Sequence, residues 1–137
     1  MDNRIKIFIV EYDCVSLITL MLWLDQFPDF QVLGTTVDTG RLGQQIDELR
    51  PDVVLLDIAT PGPEDVAPLL EIKSIEPSPA VLLLYEGDPA GLKGILENQS
   101  EAQLGPDRTL GDLHGAIAKA YNRRKAQEPA ALLALAG

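Results

Sequence analysis

The sequence predicts an α/β domain built on a doubly wound parallel sheet, and three observations carry the prediction. Short apolar runs alternate with helix-spaced segments about five times. The runs are apolar at nearly every position instead of every second one, as strands covered on both faces must be. The chain has 137 residues, enough for one good core and too few for two domains of ordinary size.

The elements follow in order. Ile5 to Val10 is apolar apart from Lys6 and rich in isoleucine, a buried strand. Leu17, Leu20, Leu24 and Phe27 recur at helical spacing, so Val15 to Phe27 reads as one helix that ends before Pro28. Pro28-Asp29 turns into a second strand, Phe30 to Thr36. A shorter helix, Thr39 to Leu49, places Leu42, Ile46 and Leu49 on one face and stops at Arg50-Pro51. Val53 to Leu56 is a third strand. Glu64 to Ile75 is a third helix, closed by Pro77 and Pro79. Val81 to Leu84 is the fourth strand, and Leu92 to Leu96 a modest helix weakened by Gly91 and Gly94. Ala102 to Leu104 offers the only room for a fifth strand. Leu110 to Tyr121 closes the set, with Leu113, Ile117 and Tyr121 down one side. The expected domain is residues 1–122. Arg123, Arg124 and Lys125 then form a basic cluster that opens a segment, 123–137, read as a linker or a continuation of the last helix.

Composition excludes several function classes. An apolar content of 46% argues against disorder. The formal net charge of −10, from 21 acidic and 11 basic residues, repels nucleic acid. A single cysteine, Cys14, excludes an internal disulfide and fits a reducing compartment. No signal-peptide pattern opens the sequence, and no apolar run approaches the roughly 18 to 20 residues of a membrane span. A cytoplasmic location, with no membrane partner, is the expectation.

Sheets of this kind gather ligands beyond the carboxyl ends of their strands, where Glu11, Tyr12, Asp13, Asp57 and Tyr85 fall. If the first and third strands are neighbours, Glu11 and Asp57 converge, with Asp13 as a third candidate. Carboxylates crowded together either raise a pKa or recruit a hard cation such as Mg2+, for which two carboxylates and a backbone carbonyl suffice. Asp57 would then be a nucleophile able to form an acyl phosphate. The competing reading is that these are solvated loop carboxylates. His114 has no cysteine or second histidine to share a metal with, so it reads as a surface or half-buried helix residue. It also leaves a catalytic triad without support. Trp23 reads as a core or helix-face contact. Gly87, Gly91 and Gly94 do not form a phosphate-cradling loop, and the acidic, glycine-free EYDC at 11–14 is hostile to a flavin phosphate.

IKIFIVE at 5–11, RPDVVLLDIATPG at 50–62 and the five-fold order resemble the receiver domain of two-component response regulators, over roughly residues 4 to 122. PDFQVLG at 28–34 and RPDVVLLDI are most similar to receivers of the NarL/FixJ/LuxR-type subgroup, which precede a helix-turn-helix DNA-binding domain. The resemblance implies a flavodoxin-like, CheY-like fold with strand order 2-1-3-4-5, and a phosphorelay role in transcriptional control rather than an enzyme. Asp57 would accept a phosphoryl group from a sensor histidine kinase. Glu11, Asp57 and the backbone carbonyl of Ala59 would hold Mg2+. The face from Ala90 to Tyr121 would form a homodimer. The tail EPAALLALAG, 128–137, resembles the opening helix of the DNA-binding domain, whose recognition helix is absent, so no specific DNA binding is expected.

Three places depart from the family pattern. Tyr12 occupies the second acidic place, beside Asp13. Tyr85 stands where the family has Thr or Ser, and Pro106 where it has Lys; Arg108 lies two residues further on. These departures imply weak phosphorylation-dependent switching. The alternative is a phosphorylation-independent pseudo-receiver that binds a protein or a ligand. A small phosphatase on the same fold would lack its general acid and its cation.

Overall fold

Every strand is one the apolar runs require. They are β1 (Ile5–Val10), β2 (Phe30–Thr36), β3 (Val53–Asp57), β4 (Ala80–Leu84) and β5 (Ala102–Leu104), in one parallel sheet ordered β2-β1-β3-β4-β5. The helices are α1 (Cys14–Asp25), α2 (Leu42–Leu49), α3 (Val66–Lys73), α4 (Lys93–Asn98) and α5 (Leu110–Ala126). The computed structural model describes residues 3–58, 62–88 and 91–127. Ala59, the turn proline Pro61, Ala90 and the tail 128–137 lie outside the described residues. No helix among the described residues is long and apolar enough to cross a membrane.

Successive strand residues point to opposite faces, and that alternation divides the core into two layers. Ile7, Ile9, Leu55, Leu82 and Leu84 pack under α1 and α5, against Leu20, Leu24, Leu113 and Ile117. Phe8, Val10, Val54, Leu56 and Leu83 pack under α2, α3 and α4, against Ile46, Leu69 and Leu96. Leu82 is the centre of the first layer, fully buried, with Leu55 and Ala102 as its register partners. Leu82→Ala is expected to cost about 3 kcal/mol, from lost transfer energy and the cavity left behind. Urea denaturation measures it; a loss below about 1 kcal/mol would mean that the site collapses around the gap.

The helix ends depart from the periodicity for local reasons. α1 stops at Asp25, short of Phe27, because Gln26 and Phe27 turn back to donate to Trp23 O and Leu24 O. Phe27 is freed to meet Phe30 edge-on and to lie 4.6 Å from the His114 ring. His114 is half-buried, stacked on Phe30, with its Nε2 2.9 Å from Asp29 Oδ2. α2 and α3 each begin as a turn of 3-10 helix, Thr39–Arg41 and Pro63–Asp65. α2 ends on Arg50, which takes the left-handed conformation at φ 52° and donates from Nε to Asp47 O. α1 is apolar all round, so Val15, Ile18 and Leu22 remain exposed while Leu20 and Leu24 are buried.

α5 begins with a reciprocal cap between Thr109 and Asp112. It runs five residues past the expected end at Tyr121, so Arg123, Arg124 and Lys125 form its last turn. Cations suit that end of a helix. Arg123 donates to Glu101 O at 2.8 Å and Arg124 to Ser78 O at 2.9 Å, tying the helix end to the sheet's amino pole. At the same pole Glu101 is buried, paired with Lys73, and accepts from Val81 N at 2.6 Å.

Candidate functional site

Val10 is the register partner of Leu56, so the residues that follow them, Glu11 and Asp57, stand side by side at the carboxyl rim. Both are buried, Glu11 at 4% and Asp57 at 7% exposure. Glu11 N donates to Thr36 O, fixing its backbone on the β2 side, and Ile58 N donates to Leu84 O on the β4 side. Glu11 Oε1 accepts from Asp13 N at 3.0 Å, while the buried Oε2 meets no donor among the described residues. Burial pushes the Glu11 carboxyl up to about 8, helped by a side-chain hydrogen bond with Asp57 and by the Asp57 charge. Two carboxyls can share a hydrogen bond only if one is protonated. The folded site therefore favours a proton on Glu11 when no metal is bound, and a cation would displace it.

Asp13 does not join this pair through its side chain. Its carboxylate caps α1, accepting from Val15 N, Ser16 N and Ser16 Oγ, and those bonds hold it below the usual carboxylate range. No group of three or more His, Cys, Asp or Glu side chains among the described residues could hold a metal. A hard cation would have Glu11 and Asp57 as its protein carboxylates. The buried, donorless Oε2 of Glu11 fits such a ligand, because a carboxylate oxygen without a donor is the feature a cation satisfies.

The altered positions divide between the two faces. Tyr12 is largely exposed; its hydroxyl shares a hydrogen bond with Thr39, and its pKa is raised first by burial and then by Asp65. Tyr85 follows Leu84, the register partner of Asp57, and so points to the opposite layer. Its ring lies against Gly105, 3.5 Å from where a Cβ would stand, and borders a cavity with Leu83, Leu96 and Gln103. Pro106 is exposed and has no N–H to donate. Arg108 is the cation that the sequence left aside. With its side chain only 12% exposed, it donates to Gly105 O at 2.9 Å, to Tyr85 O at 3.4 Å and to Glu86 Oε1 at 3.0 Å. Its partner Glu86 carries no sequence signal, since its role depends on the path of the loop after β5.

No family model matches the chain. A protein-glutamate methylesterase/protein-glutamine glutaminase of Desulfitobacterium hafniense is 32% identical over 96 residues, covering 68% of this chain and 24% of the relative. The chain spans about a quarter of the length of several such curated relatives. Among solved structures, a response regulator receiver domain protein from Clostridium thermocellum is 27% identical with a TM-score of 0.75, covering 90% of this chain and 98% of its own. The response regulator domain of Thermotoga maritima CheB, at 22% identity and a TM-score of 0.72, covers 87% of this chain and 97% of its own. These likenesses do not set one subgroup of receivers apart from another. In fold, in strand order and in the proteins it matches, the chain is a receiver domain of the response-regulator kind.

Proposed function

We propose that this receiver accepts a phosphoryl group on Asp57, with Glu11 beside it as the second carboxylate of the metal site, and that its conformational response is weak. The observation that carries the reading is the buried pair of Glu11 and Asp57, set side by side at the sheet rim by the register of β1 and β3. An oxygen of the Asp57 carboxylate forms the new bond to phosphorus as the donor's bond to phosphorus breaks, and the donor's leaving group departs with the electron pair. From a small acyl phosphate that group is a carboxylate; from a sensor histidine kinase it is an imidazole. Receiver domains in general hold Mg2+ at this place. Glu11, Asp57 and the carbonyl of Ala59 are the proposed ligands, and the metal would supply neutralisation of the phosphoryl oxygens. Asp13 is a weaker candidate, its side chain being committed to the α1 cap.

Tyr85 and Pro106 support the weakness of the response. A tyrosine turned to the α4 layer and a proline with nothing to donate leave the phosphoryl group without two of its contacts. They also favour the second reading, a phosphorylation-independent module that works by binding a protein or a ligand. The reading further places the domain in the cytoplasm, with the segment after α5 as a connector and residues 90–121 as a self-association face.

Intact mass after incubation with acetyl phosphate and Mg2+ decides between the readings. One added phosphoryl group is the expected result. No adduct, together with no measurable Mg2+ binding, would overturn the acceptor reading and leave the binding module.

A further inference from the structure

We propose that Arg108 is the cation that answers a phosphoryl group on Asp57, and that it does so by releasing Glu86. The inference rests on the acceptor reading of Asp57 and extends it to how the signal leaves the site.

Asp57 and Arg108 line one cavity of about 150 Å3, walled on its other side by Ser16, Thr19 and Trp23 of α1. Arg108 therefore borders the acceptor's own cavity. Its bonds there fall into two kinds. Two go from Nη1 to the carbonyls of Gly105 and Tyr85, which are neutral acceptors fixed in the backbone. The third goes from Nη2 to the Glu86 carboxylate, whose side chain is 55% exposed. A carboxylate that open to water binds an arginine weakly, and salt screens it further. A phosphoryl group carries about −1.5 to −2 charge and three acceptor oxygens, more than the single charge of Glu86. It outcompetes Glu86 for Nη2. Arginine stays charged throughout, so the exchange moves no proton at Arg108.

The consequence is a route from β3 to the loop between β4 and α4 that does not need a hydroxyl at position 85. Before phosphorylation the Arg108–Glu86 pair ties that loop to the segment between β5 and α5. Afterwards Glu86 is free and Arg108 turns towards β3. The covalent step itself is unchanged: the Asp57 oxygen bonds to phosphorus as acetate leaves acetyl phosphate with the electron pair.

The test measures adduct yield on the full chain by intact mass, at fixed acetyl phosphate and Mg2+. Arg108→Ala is expected to lower the yield about tenfold, the loss of one charge-assisted bond. Glu86→Gln is expected to raise it about two- to fivefold, because a weak surface competitor is removed. The double variant should match Arg108→Ala alone. If the parent takes an adduct but both single variants leave the yield unchanged, the Arg108 inference is overturned and the acceptor reading stands. If the parent takes none, the acceptor reading fails and the inference falls with it. Should Arg108→Ala not fold, Glu86→Gln decides by itself, since it leaves Arg108 in place.

Discussion

Asp57→Asn removes the phosphoryl adduct, by at least about a hundredfold, and leaves the protein folded. The amide keeps the shape of the carboxyl, but its oxygen is no longer the charged nucleophile the transfer needs. The substitution also removes a like charge from beside Glu11, one of the influences that raise the Glu11 carboxyl. Above the Glu11 titration, the variant should melt at or above the parent temperature. Intact mass and thermal melting check the two halves separately. An adduct that survives in Asp57→Asn would place the acceptor elsewhere and sink the assignment.

The second large effect is on stability against pH. The Glu11 carboxyl titrates near its ordinary value of 4.5 in the unfolded chain and is pushed up to about 8 in the folded one, with burial the first cause. A raised pKa means that the folded state holds a proton the unfolded state has released. The stabilisation is complete below the unfolded value and is lost as pH rises towards about 8. Metal-free protein should therefore be less stable at pH 8 than at pH 5, by at least about 2 kcal/mol from this group. Asp65, also raised by burial, acts in the same direction, while Asp13, lowered by its capping bonds, acts the other way and only below its ordinary range. Glu11→Gln should flatten the profile and gain stability at pH 8. Urea denaturation at the two pH values measures it; a parent whose stability does not fall between them would show that Glu11 is ionised in the fold.

How much of this was legible depends on how local each cause is. The strands announced themselves because a sheet covered on both faces needs unbroken apolar runs, and Val53 to Leu56 could be little else. Glu11 and Asp57 were readable as a pair because each ends a strand that a right-handed crossover makes adjacent. Asp13 was ambiguous for a physical reason: the same carboxylate can bind a cation or cap a helix, and here it caps α1. The direction of Tyr85 followed from parity along β4 once the register was known, which one sequence does not give. Arg108 and Glu86 lie 22 positions apart and meet only through two loops, so no spacing rule could join them. The basic triplet left a linker and a continuation of the last helix both open, and the helix won; the partners of Arg123 and Arg124 are carbonyls, which sequence patterns do not show.

Those carbonyl partners give α5 a mechanical character. Seventeen residues make a rod about 25 Å long. Its far end is bolted to the sheet through Arg123 and Arg124. Its near end begins one residue after the Thr109 cap, next to Arg108, which reaches across to Glu86. It is a cantilever. A displacement at the rim would act on the near end, with the buried seam of Leu113, Ala116 and Ile117 lying between it and the anchored pole.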